Sequence, residues 1–144
     1  MGPTFLTTCP ESLRKALRFN LKATRISINL INKGLPWHRD NVLPNQPDPT
    51  NCSPGISISV HLGAPGDSVF LGFEHETHLH EIKPGMLILF PGYLLKHKTV
   101  RPEVPESHPR RYSLVFFLQF KRERATDMDK YIRSSFQKFL KNHE

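Results

Sequence analysis

Cysteine is nearly absent: Cys9 and Cys52 are the only two in 144 residues. A disulfide-built secreted scaffold and a multi-cysteine zinc module are both excluded on that count. No apolar run approaches the roughly 20 residues a bilayer helix needs, so no membrane partner is expected. The opening Met1-Gly-Pro-Thr-Phe-Leu-Thr-Thr lacks a basic start followed by an apolar stretch, and no secretory leader is expected. Leu6 stands where a myristoylation signal after Gly2 would need Ser or Thr. There is no internal repeat and no low-complexity tract. Acidic residues are the scarcer sign, 13 against 20 Lys plus Arg, giving +7 at pH 7. The length leaves no room for a second domain of ordinary size, so 1–144 reads as one domain. A soluble intracellular protein is expected, and the charge favours a polyanionic partner.

What is present is patterned. Thirteen prolines argue for ordered loops rather than a helical bundle. Residues 10–22 predict an amphipathic helix, with Leu13, Leu17 and Leu21 at fourfold spacing behind Pro10. The period then changes to two. Ile26, Ile28 and Leu30 alternate with Ser27 and Asn29, and Ile56, Ile58, Val60 and Leu62 with Ser57, Ser59 and His61, each a half-buried strand. Gly63-Ala-Pro-Gly-Asp67 predicts a turn before a returning strand over 68–73. Further strands are predicted near 79–82, 86–90, 95–100 and 112–120, so the body over 24–120 is a sandwich or barrel. Helical spacing returns over 126–143, with Thr126 and Asp129 as a capping box. The fold class is mainly β with flanking helices.

The chemistry concentrates in His38-x-Asp40. Residues two apart on a strand share a face, so an imidazole and a carboxylate emerge together. His97 supplies a third ligand at the mouth of another predicted strand. Two His and one Asp occupy one triangular face of an octahedral ion, the arrangement of non-haem Fe(II) oxygenases. Arg111-Tyr-Ser113 adds a guanidinium and a hydroxyl on one face, the right groups to hold a distal carboxylate. A slip of one residue would put Arg110 in place of Arg111, but only Arg111 shares a face with Ser113.

On His38-x-Asp40, His97, Arg111-x-Ser113 and the strand pattern around them, residues 24–120 resemble the Fe(II)/2-oxoglutarate-dependent dioxygenases. The resemblance implies a double-stranded β-helix, a jelly-roll or cupin-like core. It also implies Fe(II) on His38, Asp40 and His97, the 2-oxoglutarate C5 carboxylate on Arg111 and Ser113, and O₂ as the oxidant. Hydroxylation of a C–H bond would follow. Two nucleic-acid branches look closest. His108-Pro-Arg-Arg-Tyr-Ser-Leu-Val-Phe-Phe117 with His38-Arg-Asp40 is similar to the TET/JBP enzymes. The Ile56–Leu62 alternation, its Gly-Ala-Pro turn and Gly85-Met-Leu-Ile-Leu are similar to AlkB-type demethylases. Phe117 stands where the AlkB pattern has a second Arg, and Asn41 and Asn45 lie at imperfect offsets from the TET His-Asn.

The implied substrate is a modified nucleic-acid base, by methylcytosine oxidation or N-demethylation, with DNA ahead of RNA and the nucleus ahead of the cytoplasm. Trp37, Asn41, Asn45 and His61 are the candidates to touch it. The same chemistry on a protein side chain or small molecule is the alternative. A catalytically silent nucleic-acid-binding β-barrel is an alternative of another class, as is a zinc hydrolase that leaves Arg111-x-Ser113 without a purpose. Glu74-His-Glu-Thr-His-Leu-His-Glu81 is a denser histidine cluster. It reads as a polar hairpin tip in solvent, with a bound divalent ion as the other reading.

Overall fold

The computed structural model describes residues 25–40 and 53–141. Eight strands and one helix follow in order: β1 (Arg25–Leu30), β2 (Gly34–His38), β3 (Gly55–Leu62), β4 (Val69–Phe73), β5 (Leu79–Ile82), β6 (Leu87–Phe90), β7 (His97–Val100), β8 (Tyr112–Gln119) and α1 (Arg122–Lys141). They form two antiparallel four-stranded sheets, ordered β1-β8-β3-β6 and β2-β7-β4-β5. Chain neighbours fall in different sheets at almost every step, which is the winding of an eight-stranded jelly roll, the cupin or double-stranded β-helix fold. The expected helix over 10–22, with Asn41 and Asn45, lies outside the described residues.

Alternation holds, and its polarity is the unexpected part. Along β3, Ser57, Ser59 and His61 are buried between the sheets, while Ile56, Ile58 and Val60 point to the outer face. On β1, Ile28 pairs with Leu114 on the outside and is 73% exposed, whereas Asn29 turns inward. Leu87 and Leu89 of β6 continue that exposed apolar face. The apolar core is correspondingly small, made by Ile31, Val69, Leu71, Ile82, Tyr93 and Phe120. The space between the sheets is thus kept partly polar, as a site requires and a packed core does not.

Local chemistry explains the connections. Ala64-Pro-Gly-Asp67 closes with the Asp67 amide donating to the Ala64 carbonyl at 3.2 Å. Pro65 presets the first central residue, and Gly66 takes φ +81°, so the turn is of type II. β2 begins at Gly34. It is an edge strand whose register shifts between Leu35 and His38, and an edge or a bulge is where a strand tolerates Pro36.

The C-terminal helix starts at Arg122, four residues before the expected position, so Thr126 is an interior residue and caps nothing. Arg122-Glu-Arg-Ala are good helix formers and start the helix after a two-residue link from β8, the Arg124 amide donating to the Lys121 carbonyl at 2.8 Å. Asp129 instead accepts the Tyr93 hydroxyl at 2.7 Å and the Arg133 Nε at 2.9 Å, docking the helix to the sandwich. No helix among the described residues is long and apolar enough to cross a membrane.

Candidate metal centre

The register of β2 on β7 sets His38 directly opposite His97, and β7 in turn aligns His97 with Phe73 of β4. One residue past the end of β2, the chain is pinned: the Asp40 amide donates to the Gly92 carbonyl at 2.9 Å, and Arg39 Nε donates to the Leu94 carbonyl at 3.2 Å. Asp40 is thereby carried over the cavity between the sheets, with 8% of its surface exposed. Gly92 leaves it room. A Cβ at that position would run into Asp40 Oδ2 and Ser57 Oγ.

Each imidazole is oriented by its far nitrogen. His38 Nδ1 donates to the Pro36 carbonyl and His97 Nδ1 to the Leu95 carbonyl, both at 2.8 Å. That tautomer leaves a lone pair on each Nε2. His38 Nε2 lies 3.5 Å and His97 Nε2 3.6 Å from the same oxygen, Asp40 Oδ1. The other oxygen, Oδ2, accepts the Ser57 hydroxyl at 2.5 Å. Two lone pairs and an anion therefore converge on one point, with one ligand atom from each residue and all three within 4.8 Å of one another. A metal ion relieves that arrangement, as does a proton on His38 Nε2.

The titration shifts distinguish the two rings. The hydrogen bond to Asp40 outweighs burial and holds His38 above the usual histidine range. For Asp40, burial alone would raise the pKa, but His38, the charge of His97 and the Ser57 hydroxyl together hold it below the usual carboxylate value. Burial brings His97 down, opposed by Asp40, and so favours the neutral ligand form. The residues fit a metal, and a 2-His-1-carboxylate set leaves coordination positions open.

The triad opens on a cavity of about 80 Å³ lined further on by Ser59, His61, Thr99, Ser113 and Asn29. Its inner polar end lies near a buried charge cluster. Arg111 is fully buried, its Nη1 donating to the Asp67 carbonyl and its Nη2 to the Ile82 carbonyl, each at 2.8 Å. The Asp67 carboxylate stands 3.3 Å from Arg101 Nη2 and 3.5 Å from Arg111 Nη1, so two guanidiniums face one buried anion.

Ser113 lines the cavity, whereas Arg111 is not among its lining residues. Each terminal nitrogen of Arg111 already donates to a main-chain carbonyl, while its Nε–H has no acceptor among the described residues. Four buried nitrogens lack a hydrogen-bond partner among the described residues: Arg111 Nε and His61 Nδ1, with Arg101 Nε and His108 Nε2 around Asp67. His61 Nε2 meets the Ser59 hydroxyl at 3.0 Å. Burial, then the Arg111 charge, pushes its pKa down to about 4, so the ring is neutral at pH 7. An acid group bound here would meet the Ser113 hydroxyl, the neutral His61 and the excess charge of the Arg101 and Arg111 pair.

Of the residues proposed for substrate, His61 lies in the cavity. Trp37 does not: strand neighbours alternate faces, so with His38 turned inward Trp37 is 42% exposed, its ring 4.8 Å from Lys98 Nζ. Ser57, Gly92 and Ser59 were missed. Their signal was available for the serines, since polar residues at every second position of an otherwise Ile/Val strand mark a polar interior as readily as a wet surface.

No protein-family profile matches the chain, and no curated protein is similar to it in sequence. Among solved structures, it is similar to a cupin-2 domain protein from Shewanella frigidimarina, with 8% identity, 67% of this chain and 72% of that one covered, and a TM-score of 0.42. It is similar also to a protein assigned as a mannose-6-phosphate isomerase from Ralstonia eutropha (17%, 69% and 78% covered, TM-score 0.44). A third is a prolyl-4-hydroxylase from Pseudomonas putida (14%, 68% and 52% covered, TM-score 0.42). The fold of this chain is defined by its own strand order, and its chemistry by the side chains above.

Proposed function

We propose that the chain is a mononuclear Fe(II) oxygenase of the 2-oxoglutarate-dependent kind. The observation that carries this reading is the pair of Nδ1-tethered imidazoles whose free Nε2 atoms meet Asp40 Oδ1. His38, Asp40 and His97 would hold the iron, which when bound supplies activation of O₂ for hydroxylation of a substrate C–H bond. Ser57 fixes the Asp40 rotamer, and the Pro36 and Leu95 carbonyls fix the two rings. Ser113 and neutral His61 would hold the co-substrate's carboxylate by hydrogen bonds, while Arg111 and Arg101 supply positive potential from behind. Ile31, Leu71, Ile82 and Phe90 give the narrow cavity apolar walls.

The substrate we infer is a nucleic-acid base, DNA before RNA, on the strength of the TET/JBP and AlkB resemblance and the +7 charge. A protein side chain or small molecule is the alternative substrate. The engaged terminal nitrogens of Arg111 favour a second reading, a metal-dependent cupin enzyme that does not use 2-oxoglutarate. Anaerobic addition of Fe(II) and then 2-oxoglutarate separates them. A visible metal-to-ligand band that is absent in Asp40→Ala supports the oxygenase. Iron binding with no band on adding the keto acid supports the second reading, and no iron binding at all defeats both. Succinate release with methylated but not unmethylated oligonucleotides, weakening as salt rises, would support the base substrate.

A further inference from the structure

The turn joining β4 to β5 carries a second convergence of ligand atoms, independent of the first. Glu76 Oε2 contacts His80 Nε2 at 2.5 Å and lies 3.9 Å from His78 Nε2, while Glu76 Oε1 lies 3.7 Å from His75 Nε2. The His78 and His80 rings are 4.5 Å apart. Glu76, His78 and His80 each offer one ligand atom, all within 4.8 Å of one another. No lysine or arginine pairs with Glu76 among the described residues. At 3.7 and 3.9 Å, His75 and His78 are too far for hydrogen bonds, yet both aim Nε2 at the carboxylate. Zinc bonds of about 2.0–2.2 Å place ligand atoms roughly 3.3 Å apart, a spacing these side chains reach by closing on the ion from within 4.8 Å.

The cluster is better framed than a hairpin tip free in solvent. The Phe73 ring lies 5.8 Å from both His75 and His80, and the Phe136 ring of α1 packs edge-on to His75 at 4.9 Å. These residues form the lip of a cleft of about 530 Å³ between the free edges of β5 and β6. Phe73 and Phe90 line that cleft and also touch His97, with ring separations of 6.3 and 4.8 Å.

We propose that Glu76, His78 and His80 form a second site for an imidazole-preferring divalent ion such as Zn²⁺. The ion fastens the β4–β5 turn at the lip of the cleft, beside the contact that His75 makes with Phe136 of α1. Imidazole-rich sets with one carboxylate suit Zn²⁺ and its neighbours rather than Mg²⁺ or Ca²⁺.

Titration of the full chain with Zn²⁺ and with Co²⁺ tests this without reference to any activity. Two equivalents are expected in the wild type. Asp40→Ala should lose one, and His78→Ala/His80→Ala the other, the latter taking the intense visible bands of tetrahedral Co²⁺ with it. In an Asp40→Ala background, Zn²⁺ should still raise the melting temperature, and adding His78→Ala/His80→Ala should abolish the rise. Because the two histidines are substantially exposed, the double variant should fold, and its far-UV circular dichroism checks that. A single equivalent in the wild type that His78→Ala/His80→Ala leaves intact overturns the proposal, as does a second equivalent that survives in that variant.

Discussion

His38 and His97 stand opposite each other across the β2–β7 pairing, ring centroids 4.3 Å apart, each turned by a main-chain carbonyl two residues upstream. The same local device, Nδ1 to the carbonyl at i−2, is thus used twice on adjacent antiparallel strands. Its product is two lone pairs aimed at one carboxylate oxygen. The backbone dictates the ring orientation, so the site exists before any ion arrives.

Ser57 is expected to tune that site without being a ligand. Its hydroxyl is the one side-chain hydrogen bond to Asp40 Oδ2 among the described residues, and it holds Oδ1 toward the histidines. Loss of such an outer partner typically weakens metal affinity by about 10- to 100-fold. Ser57→Ala should show that loss by calorimetric titration with Fe(II) under anaerobic conditions, with stability lowered by about 1.5–3 kcal/mol because the bond is to a buried carboxylate. Metal affinity equal to wild type would mean that the main-chain pinning alone orients Asp40.

Gly92 should be intolerant of any side chain. A Cβ there would overlap Asp40 Oδ2 and Ser57 Oγ, and both groups are held by further contacts. Gly92→Ala should therefore cost about 1–3 kcal/mol by overpacking and displace the carboxylate. Chemical denaturation measures the first effect and metal titration the second. A variant of wild-type stability and metal affinity would show that the loop carrying Gly92 can back away.

His61 predicts a pH signature. Its pKa is about 4 folded against 6.5 unfolded, so between those values the unfolded chain binds more protons. Stability contributed by keeping the ring neutral is complete above pH 6.5 and is lost as pH falls toward 4, by at most about 3 kcal/mol. His61→Gln should flatten the unfolding free energy over that window. An unchanged slope would show that the ring takes up a proton without penalty.

The β-sandwich and the His38–Asp40 pair were legible because each rests on short-range rules, while the double-stranded β-helix and the role of His97 rested on the family resemblance. Alternation at Ile56–Leu62 marks a strand wherever it packs, and His-x-Asp places two groups on one face by geometry alone. The polarity of the strands was not legible, since period two gives the same signal whichever face is buried. Only the sheet pairing shows that the serines of β3 face inward. Asp67 escaped notice for a similar reason. It sits in a correctly expected turn, and nothing local reveals that Arg101 and Arg111, 34 and 44 residues away in sequence, return to it.

Arg111 and Ser113, equivalent in the family resemblance, should separate cleanly when substituted. Arg111 supports the sandwich: it bridges the Asp67 and Ile82 carbonyls and shares the Asp67 carboxylate with Arg101. Arg111→Met would leave two buried carbonyls unpaired and should cost about 3–5 kcal/mol, measured by denaturant unfolding. Ser113→Ala removes a hydroxyl from the cavity wall and should leave stability within about 1 kcal/mol of wild type. If that hydroxyl holds the co-substrate, its hydrogen bond to a charged carboxylate is worth about 1.5–3 kcal/mol, and 2-oxoglutarate affinity should fall roughly 10- to 100-fold. A folded, stable Arg111→Met that binds Fe(II) but no longer binds 2-oxoglutarate would reverse the assignment, making the arginine the anchor and the serine its support.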